Sequence, residues 1–440
     1  MNTPICDFVK KYIDSGTVRL HMPGHKGVPL LGVEHLDITE VRGADSLYEA
    51  EGIIMESEKN ASMLFGCPTY YATEGSSQCI RAMVLLAAQA AQSQGKPLKI
   101  AAGRNAHRTF LSAAALMDAQ VVWLHGEETE SYLSCTLTAK SVEAVLCREQ
   151  PAAVYLTSPD YLGNMAPVRE IANLCRKHGA LLLVDNAHGA YLKFLPESLH
   201  PMELGADLCC DSAHKTLPAL TGAAYLHTEA AFDAHAVRNA LAMFGTTSPS
   251  YLILQSLDAV CGVLGENYGA KLAAFCAKIA DLKKKLTQKG YELAGQEPMK
   301  ITLCPKSYGY TGDELHDILR QKGMECEFSD PDFLVLMVSP ESGEALETVG
   351  RVLLELPQKA PILQAPPKRC AAERVMSIRQ AALSPCETLP TEKALGRILA
   401  AASVGCPPAV PIAVCGERLD ENALQCFKYY GITECSVVKE

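Results

Sequence analysis

The chain has 440 residues and a mass of 47.4 kDa, enough to bury a large core and, by the usual size of domains, to form two or three of them. Apolar residues make up 48% and charged residues 20%, a balance that excludes an extended disordered protein. A formal charge of -10 and a pI near 5.7 argue against nucleic acid and for small metabolites as partners, while leaving room for a local site for one phosphate.

A short helix is expected over residues 4–14, then irregular chain containing HMPGHKG, too rich in Pro and Gly for a regular element. Helical patterns follow from Glu51 to Phe65 and from Cys79 to Gly95, the second ended by its glycine. From there the pattern alternates. LKIAAG, QVVWL, AAVYLT and ALLLVD read as strands, separated by helices in HRTFLSAAALM, TAKSVEAVLCREQ and PVREIANLCRKHG. Continuous apolar strands spaced by helices are the pattern of a parallel sheet covered on both faces. ADLCCD and GAAYLH offer further strands, and a long helical region runs from Tyr251 to Lys289, its DLKKKLTQKG end read as a solvated face. MKITLCPK, TGDELHDILRQKG, CEFSD and FLVLMVS fit a smaller α+β domain, and PQKAPILQAPPKR reads as a linker. The expected organisation is an N-terminal segment 1–50, a major α/β domain 51–289 with a mostly parallel sheet, a small α+β domain 290–356, a linker 357–368 and a C-terminal subdomain 369–440.

The 18 cysteines include no CxxC pair and fit buried free thiols in a reducing compartment; Cys209 and Cys210 are read as strand filling, and no metal is expected. MNTPICDFVKKYIDSG lacks the apolar run of a signal peptide, and nowhere is there an apolar stretch of the roughly 18 residues a membrane span needs. A cytoplasmic protein is the expectation.

Three places could carry chemistry. The apolar strand ALLLVD ends in Asp185, which puts a carboxylate at the carboxyl edge of the sheet, where open α/β folds bind ligands. A capping role for Asp185 is as good a reading when it is taken alone. Thirty residues on, ADLCCD is followed by Ser212, His214 and Lys215 at what would be a second edge. Gly75, Ser76 and Ser77 stand directly before a helix, so hydroxyls and helix-start N–H groups point one way. Many such turns only cap a helix, and GxxxxGK[ST] is missing, which excludes a nucleotide P-loop. Together, donors for a phosphate, an anion for a pyridine nitrogen and an amine for an aldehyde form the set that pyridoxal 5'-phosphate needs.

Beyond this set, HMPGHKG, DITEVRGADSLYEAEGII, GRNAHRTF, DNAHGAYL, DSAHKTLPALTGAAYLH, TTSPSYLILQSLD, MSIRQAALSPCETLP and GCPPAVPIAVCGERL occur in an order that resembles the Orn/Lys/Arg decarboxylase family, in its compact form without an N-terminal wing domain. The resemblance implies a fold type I, pyridoxal-phosphate-dependent transferase-like major domain with a smaller α+β C-terminal domain. It makes Lys215 the Schiff-base lysine, Asp185 the partner of the pyridine nitrogen and His107 the residue stacked on the ring. Gly75, Ser76, Ser77 and Ser212 would hold the phosphate, Ala187 and His188 would line the ring face opposite His107, and His214 would handle substrate or a proton. His188 could equally serve only to hydrogen-bond the strand-end backbone. Thr247, in TTSPSY, would reach the phosphate of a neighbouring subunit, which implies a homodimer with active sites at its interface. The implied reaction is decarboxylation of arginine, lysine or ornithine to an amine related to polyamines. Transamination, β-elimination and a non-catalytic scaffold stay open as alternatives. Glu74 stands where the family usually has asparagine before the glycine, Ala213 where it has threonine, and Gly222 where it has glutamine, departures that bear on substrate identity. A basic substrate tail would need carboxylates, and Glu417 in GERLDEN is one candidate, with a solvated loop as the plainer account.

Overall fold

The computed structural model describes residues 1–126, 131–368, 372–401 and 409–440. The GCPP that begins the last tail motif, and the first residues of the expected C-terminal subdomain, lie outside them.

In chain order the elements are α1 (Pro4–Asp14), α2 (Ile53–Phe65), β1 (Thr69–Ala72), α3 (Ser76–Ser93), β2 (Lys99–Gly103), α4 (Arg108–Leu116), β3 (Gln120–Leu124), α5 (Ala139–Glu149), β4 (Ala153–Thr157) and α6 (Val168–His178). Next come β5 (Leu181–Asp185), β6 (Leu208–Asp211), α7 (Ala213–Thr216), β7 (Ala224–Thr228), α8 (Ala234–Ala242), α9 (Tyr251–Leu264) and α10 (Tyr268–Lys289). The remainder is β8 (Glu292–Ala294), β9 (Lys300–Cys304), α11 (Gly312–Gln321), β10 (Phe328–Ser329), β11 (Leu334–Met337), α12 (Gly343–Glu355), α13 (Ile378–Leu383), β12 (Cys386–Pro390), α14 (Glu421–Tyr429) and β13 (Glu434–Val438). The expected helical run from Tyr251 to Lys289 is two helices, broken across Gly265, Glu266 and Asn267, where glycine and asparagine are poor helix formers. The helix expected from Cys79 starts at Ser76, because serines supply its first turn.

The chain divides into two compact units, Met1–Ala90 with Leu181–Leu272, and Ala91–Ala180 with Ala273–Glu440. In the first, four strands lie in the order β1, β7, β6, β5. β5 and β6 are parallel, with Asp185 beside Cys210, because a long crossover joins them. β6 and β7 are antiparallel, as are β7 and β1, with Ala72 opposite Ala224. Val184, Cys209, Leu226 and Tyr71 are buried on these strands, so hydrophobic burial fixes their register. α1, α2 and α9 pack together, and Ile5, Val9, Ile54 and Leu257 on them are buried.

In the second unit β2 pairs in parallel with both β3 and β4, and α5 packs on α6. The capping box of Thr138 and Ser141 starts α5, and that of Thr311 and Glu314 starts α11. β10, β11, β9 and β8 form an antiparallel sheet, the α+β part expected there. β12 pairs with β13 over a core of Leu399, Leu419, Phe427 and Val437. Among the described residues no helix is long and apolar enough to cross a membrane.

Candidate active site

The pairing of β1 with β7 brings the chain just after β1 against the chain just before β7. Gly75 N–H donates to Gly222 O at 2.8 Å, so the turn before α3 is hooked to the loop that follows Lys215. Gly222 has φ +99°, and a Cβ there would lie 2.9 Å from Thr73 O, so in this backbone conformation a side chain would be strained and something would have to shift. A second link joins the same two segments: Ser212 Oγ donates to Ser76 Oγ at 2.8 Å. The first turn of α3 and its hydroxyls therefore stand beside the β6–α7 turn.

Lys215 lies within α7, a single helical turn directly after β6 and not the strand end the sequence suggests. Ser212 leaves the strand in extended conformation and the chain coils at once, which turns the lysine away from the ladder. Its Nζ lies 2.9 Å from His188 Nε2. His188 is buried, three residues beyond Asp185, so the parallel pairing of β5 with β6 delivers the imidazole to the amine. Asp185 is 2% exposed; its Oδ1 accepts from Ala187 N–H at 3.2 Å and from Cys210 Sγ at 3.7 Å. Burial, with the nearby Asp185 charge, pushes the Cys210 thiol far up, so it keeps the proton it donates.

His214 turns its Nδ1 to Ala223 O at 2.9 Å. A carbonyl only accepts, so Nδ1 carries the hydrogen and Nε2 the lone pair. Burial holds this ring below the ordinary histidine value; the Ala223 bond works against that and the Lys215 charge adds to it. At neutral pH His214 is thus a proton acceptor. Glu74 faces the loop before α9, where its Oε1 accepts Thr246 N–H at 2.5 Å. That bond fixes the loop carrying Thr247, which is exposed.

His107 belongs to the other compact unit. It caps α4, with Nδ1 accepting from Thr109 N at 3.2 Å and 2.9 Å from Thr109 Oγ1, so its ring is held by its own helix start. Glu417, in the same unit, is not on a solvated loop: it is 4% exposed and binds Arg104 at 3.0 Å and Val414 N–H at 2.8 Å. That carboxylate is committed to an internal ion pair.

The first unit thus brings together Gly75, Ser76, Asp185, Ala187, His188, Ser212, His214 and Lys215. Sequence reasoning marked Gly222 only as a departure from the family pattern, not as the residue whose backbone holds the two halves of this set, and it missed Asn186 and Asp211, which are taken up below. An amine, a buried carboxylate and a hydroxyl-lined helix start suit an aldehyde-bearing, phosphorylated pyridine, and in donor chemistry the residues present fit pyridoxal phosphate.

Residues 3–337 match the sequence profile of the Orn/Lys/Arg decarboxylase major domain. The arginine decarboxylase of Halalkalibacterium halodurans is 29% identical across 96% of this chain and 92% of its own. That of Bacillus subtilis is 28% identical across 97% and 93%. Among solved structures, the Francisella novicida lysine decarboxylase superposes with a TM-score of 0.80 at 15% identity, covering 99% of this chain and 81% of that one. Lysine decarboxylase A of Pseudomonas aeruginosa gives 0.78 at 18%, covering 98% and 76%. The chain shares their fold.

Proposed function

The chain belongs to the Orn/Lys/Arg decarboxylase family, and from that premise we propose that it releases the α-carboxyl group of a basic amino acid as CO2, leaving the amine, with pyridoxal 5'-phosphate as cofactor. The observation that carries the reading is the meeting, in one unit, of the Lys215 amine with His188 at 2.9 Å, next to Asp185 at the end of β5 and Ser212 just after β6. When bound, the cofactor supplies an aldehyde for an amine and a protonated ring that takes up the electron pair left by CO2.

Lys215 would hold the aldehyde carbon and exchange places with the substrate amine. Asp185, buried and unable to be shielded by water, would keep the ring nitrogen protonated. Ser76, Ser77, Ser212 and the first N–H groups of α3 would receive the phosphate at the positive end of that helix. Ala187 and His188 would line the ring, and His188 Nε2 would accept a proton or hydrogen bond from the Lys215 amine. His214 rests neutral with its lone pair on Nε2, so it would orient a donor, and the proton returned to Cα would come from Lys215. The stacking role of His107 is carried by the family resemblance alone.

A homodimer is proposed with it. Thr247 is exposed on a loop fixed by Glu74, which suits a residue that serves a second subunit. Cytoplasmic location and a place in polyamine synthesis are proposed on the same footing. Arginine is the first substrate to try, because it is the amino acid named for the two curated relatives above.

The test is product analysis with arginine, lysine and ornithine separately, alongside Lys215→Ala. CO2 with the matching amine, lost in the variant together with the visible absorbance of the loaded protein, supports the proposal. A keto acid in place of CO2, or undiminished decarboxylation by Lys215→Ala, refutes it.

A further inference from the structure

Behind Asp185 and Lys215 lies a second polar set to which the reaction above assigns no part. Asp211, the last residue of β6, is 0% exposed. Its Oδ1 accepts from Asn186 Nδ2 at 2.6 Å, and its Oδ2 lies 3.1 Å from both His200 Nε2 and His227 Nε2. His227 Nδ1 in turn meets Thr69 Oγ1 at 2.9 Å. Thr69, His227, Asp211 and Asn186 stand on or directly after β1, β7, β6 and β5, so the chain of side chains crosses four strands in their sheet order.

The register shows what this crossing does. The last backbone link between the parallel strands is Asn186 N–H to Cys210 O at 3.0 Å. The Asn186–Asp211 bond comes next, as a side-chain rung just past the end of the ladder. Asp185 and Cys210 share one sheet face, and their neighbours Asn186 and Asp211 meet on the other. The rung therefore acts on Asp185 and Lys215 through the backbone, clamping the end of β5, which carries Asp185, to the end of β6, from which the chain runs into the α7 turn that carries Lys215.

The protonation pattern follows from the partners. His200 Nδ1 accepts Met202 N–H at 3.4 Å, which leaves its hydrogen on Nε2, facing Asp211. An Nε2 that carries hydrogen has no lone pair for a metal, although the His200, Cys209 and Asp211 donor atoms lie within 4.8 Å of one another. Burial pushes the His227 ring below its ordinary value while Asp211 works against that; its Nε2 faces Asp211 and its Nδ1 faces Thr69 Oγ1. For Asp211, burial works to raise the pKa, but the two imidazoles outweigh it and hold the carboxyl well below the usual range. The network is one buried carboxylate faced by three side-chain nitrogens, with Cys209 Sγ also donating to Oδ1 at 3.9 Å.

We propose that Asp211 is a positioning residue for the reaction, holding the ends of β5 and β6 through Asn186, His200 and His227 so that Asp185 and Lys215 keep their relative placement. This rests on the decarboxylase reading for its functional part only. Hydrogen–deuterium exchange on the full-length, cofactor-free protein, at residues 186–188 and 212–216, tests it, with kcat and KM of the loaded enzyme measured separately. Asp211→Asn and Asn186→Ala are each expected to speed exchange in both segments about 10- to 100-fold, the scale of one hydrogen bond to a buried charge. β2 and β4 should exchange as in wild type, and kcat should fall while KM holds. Asn186→Ala removes a single rung, and it carries the test if Asp211→Asn does not fold. Wild-type exchange in both segments overturns the proposal, as does faster exchange with unchanged kcat. One zinc ion per purified chain, lost in Asp211→Asn, also overturns it. A wild-type protein inactive on all three amino acids would sink the decarboxylase reading yet leave the exchange result standing.

Discussion

Replacing Gly222 by alanine would press on the hook between the lysine loop and the start of α3. The residue sits at φ +99°, and the added methyl would stand 2.9 Å from Thr73 O and 3.0 Å from Ile253 Cδ1. Backbone strain of this kind costs about 1–3 kcal/mol. Relief of the contact moves Gly222 O away from Gly75 N–H, now at 2.8 Å, and a hydrogen bond of that type contributes about 0.5–1.5 kcal/mol. The expected loss of unfolding free energy is therefore about 2–4 kcal/mol, read from urea or guanidinium curves. Titration of cofactor-free protein with pyridoxal phosphate should show weaker binding, because the Ser76–Ser212 pair shifts with the loop. Asparagine tolerates positive φ but keeps the Cβ, so Gly222→Asn is expected to fail as a rescue. A Gly222→Ala protein within about 0.5 kcal/mol of wild type, with unchanged cofactor affinity, would show that the hook does not hold the site.

Glu417→Ala is expected to destabilise by about 3–5 kcal/mol in chemical denaturation, because it leaves the Arg104 charge buried without its partner. Glu417→Leu with Arg104→Met should recover much of that loss; a single variant as stable as wild type would contradict the burial argument. A Cβ at Gly189 would come within 2.0 Å of Asn186 Oδ1, so Gly189→Ala should displace Asn186 and reproduce the exchange pattern of Asn186→Ala. His214 has a lower pKa folded than unfolded, so its contribution to stability is intact above the ordinary value of 6.5 and is lost as pH falls below it. Stability profiles between about pH 7 and 5 should accordingly be less steep for His214→Gln than for wild type, and an equal slope would refute the assignment.

The elements that position the site were legible where one physical signal dominated. ALLLVD is apolar throughout and ends in a carboxylate, and β5 is that strand with Asp185 at its end. Gly75-Ser76-Ser77 reads as a helix start, and α3 begins there. α8 escaped notice because its signal is a lone Asp233 side chain accepting Ala236 N–H, in a stretch without strong apolar period. The one-turn α7 is too short for any periodicity to reveal. Asp211 stands in plain view between Cys210 and Ser212, yet its partners His200 and His227 lie 11 and 16 residues away, on a crossover and another strand. Only tertiary pairing brings them in. Gly222 likewise reads only as a departure from the family pattern until the close approach of Thr73 O shows what the position holds.

The first compact unit is made from two stretches, Met1–Ala90 and Leu181–Leu272, with ninety residues of the other unit threaded between them. β1 has β7 for its neighbour, and β7 begins at Ala224. On a ribosome adding about 5–20 residues per second, the apolar faces of α2 and β1 would wait about 8–30 s for that strand. During synthesis the edge of β1 is an open template, and Phe65 and Tyr71, fully buried at the end, stand uncovered. A nascent chain of this layout leaves those apolar groups uncovered until the second stretch emerges, and a premature stop before residue 224 is expected to release a fragment prone to aggregate.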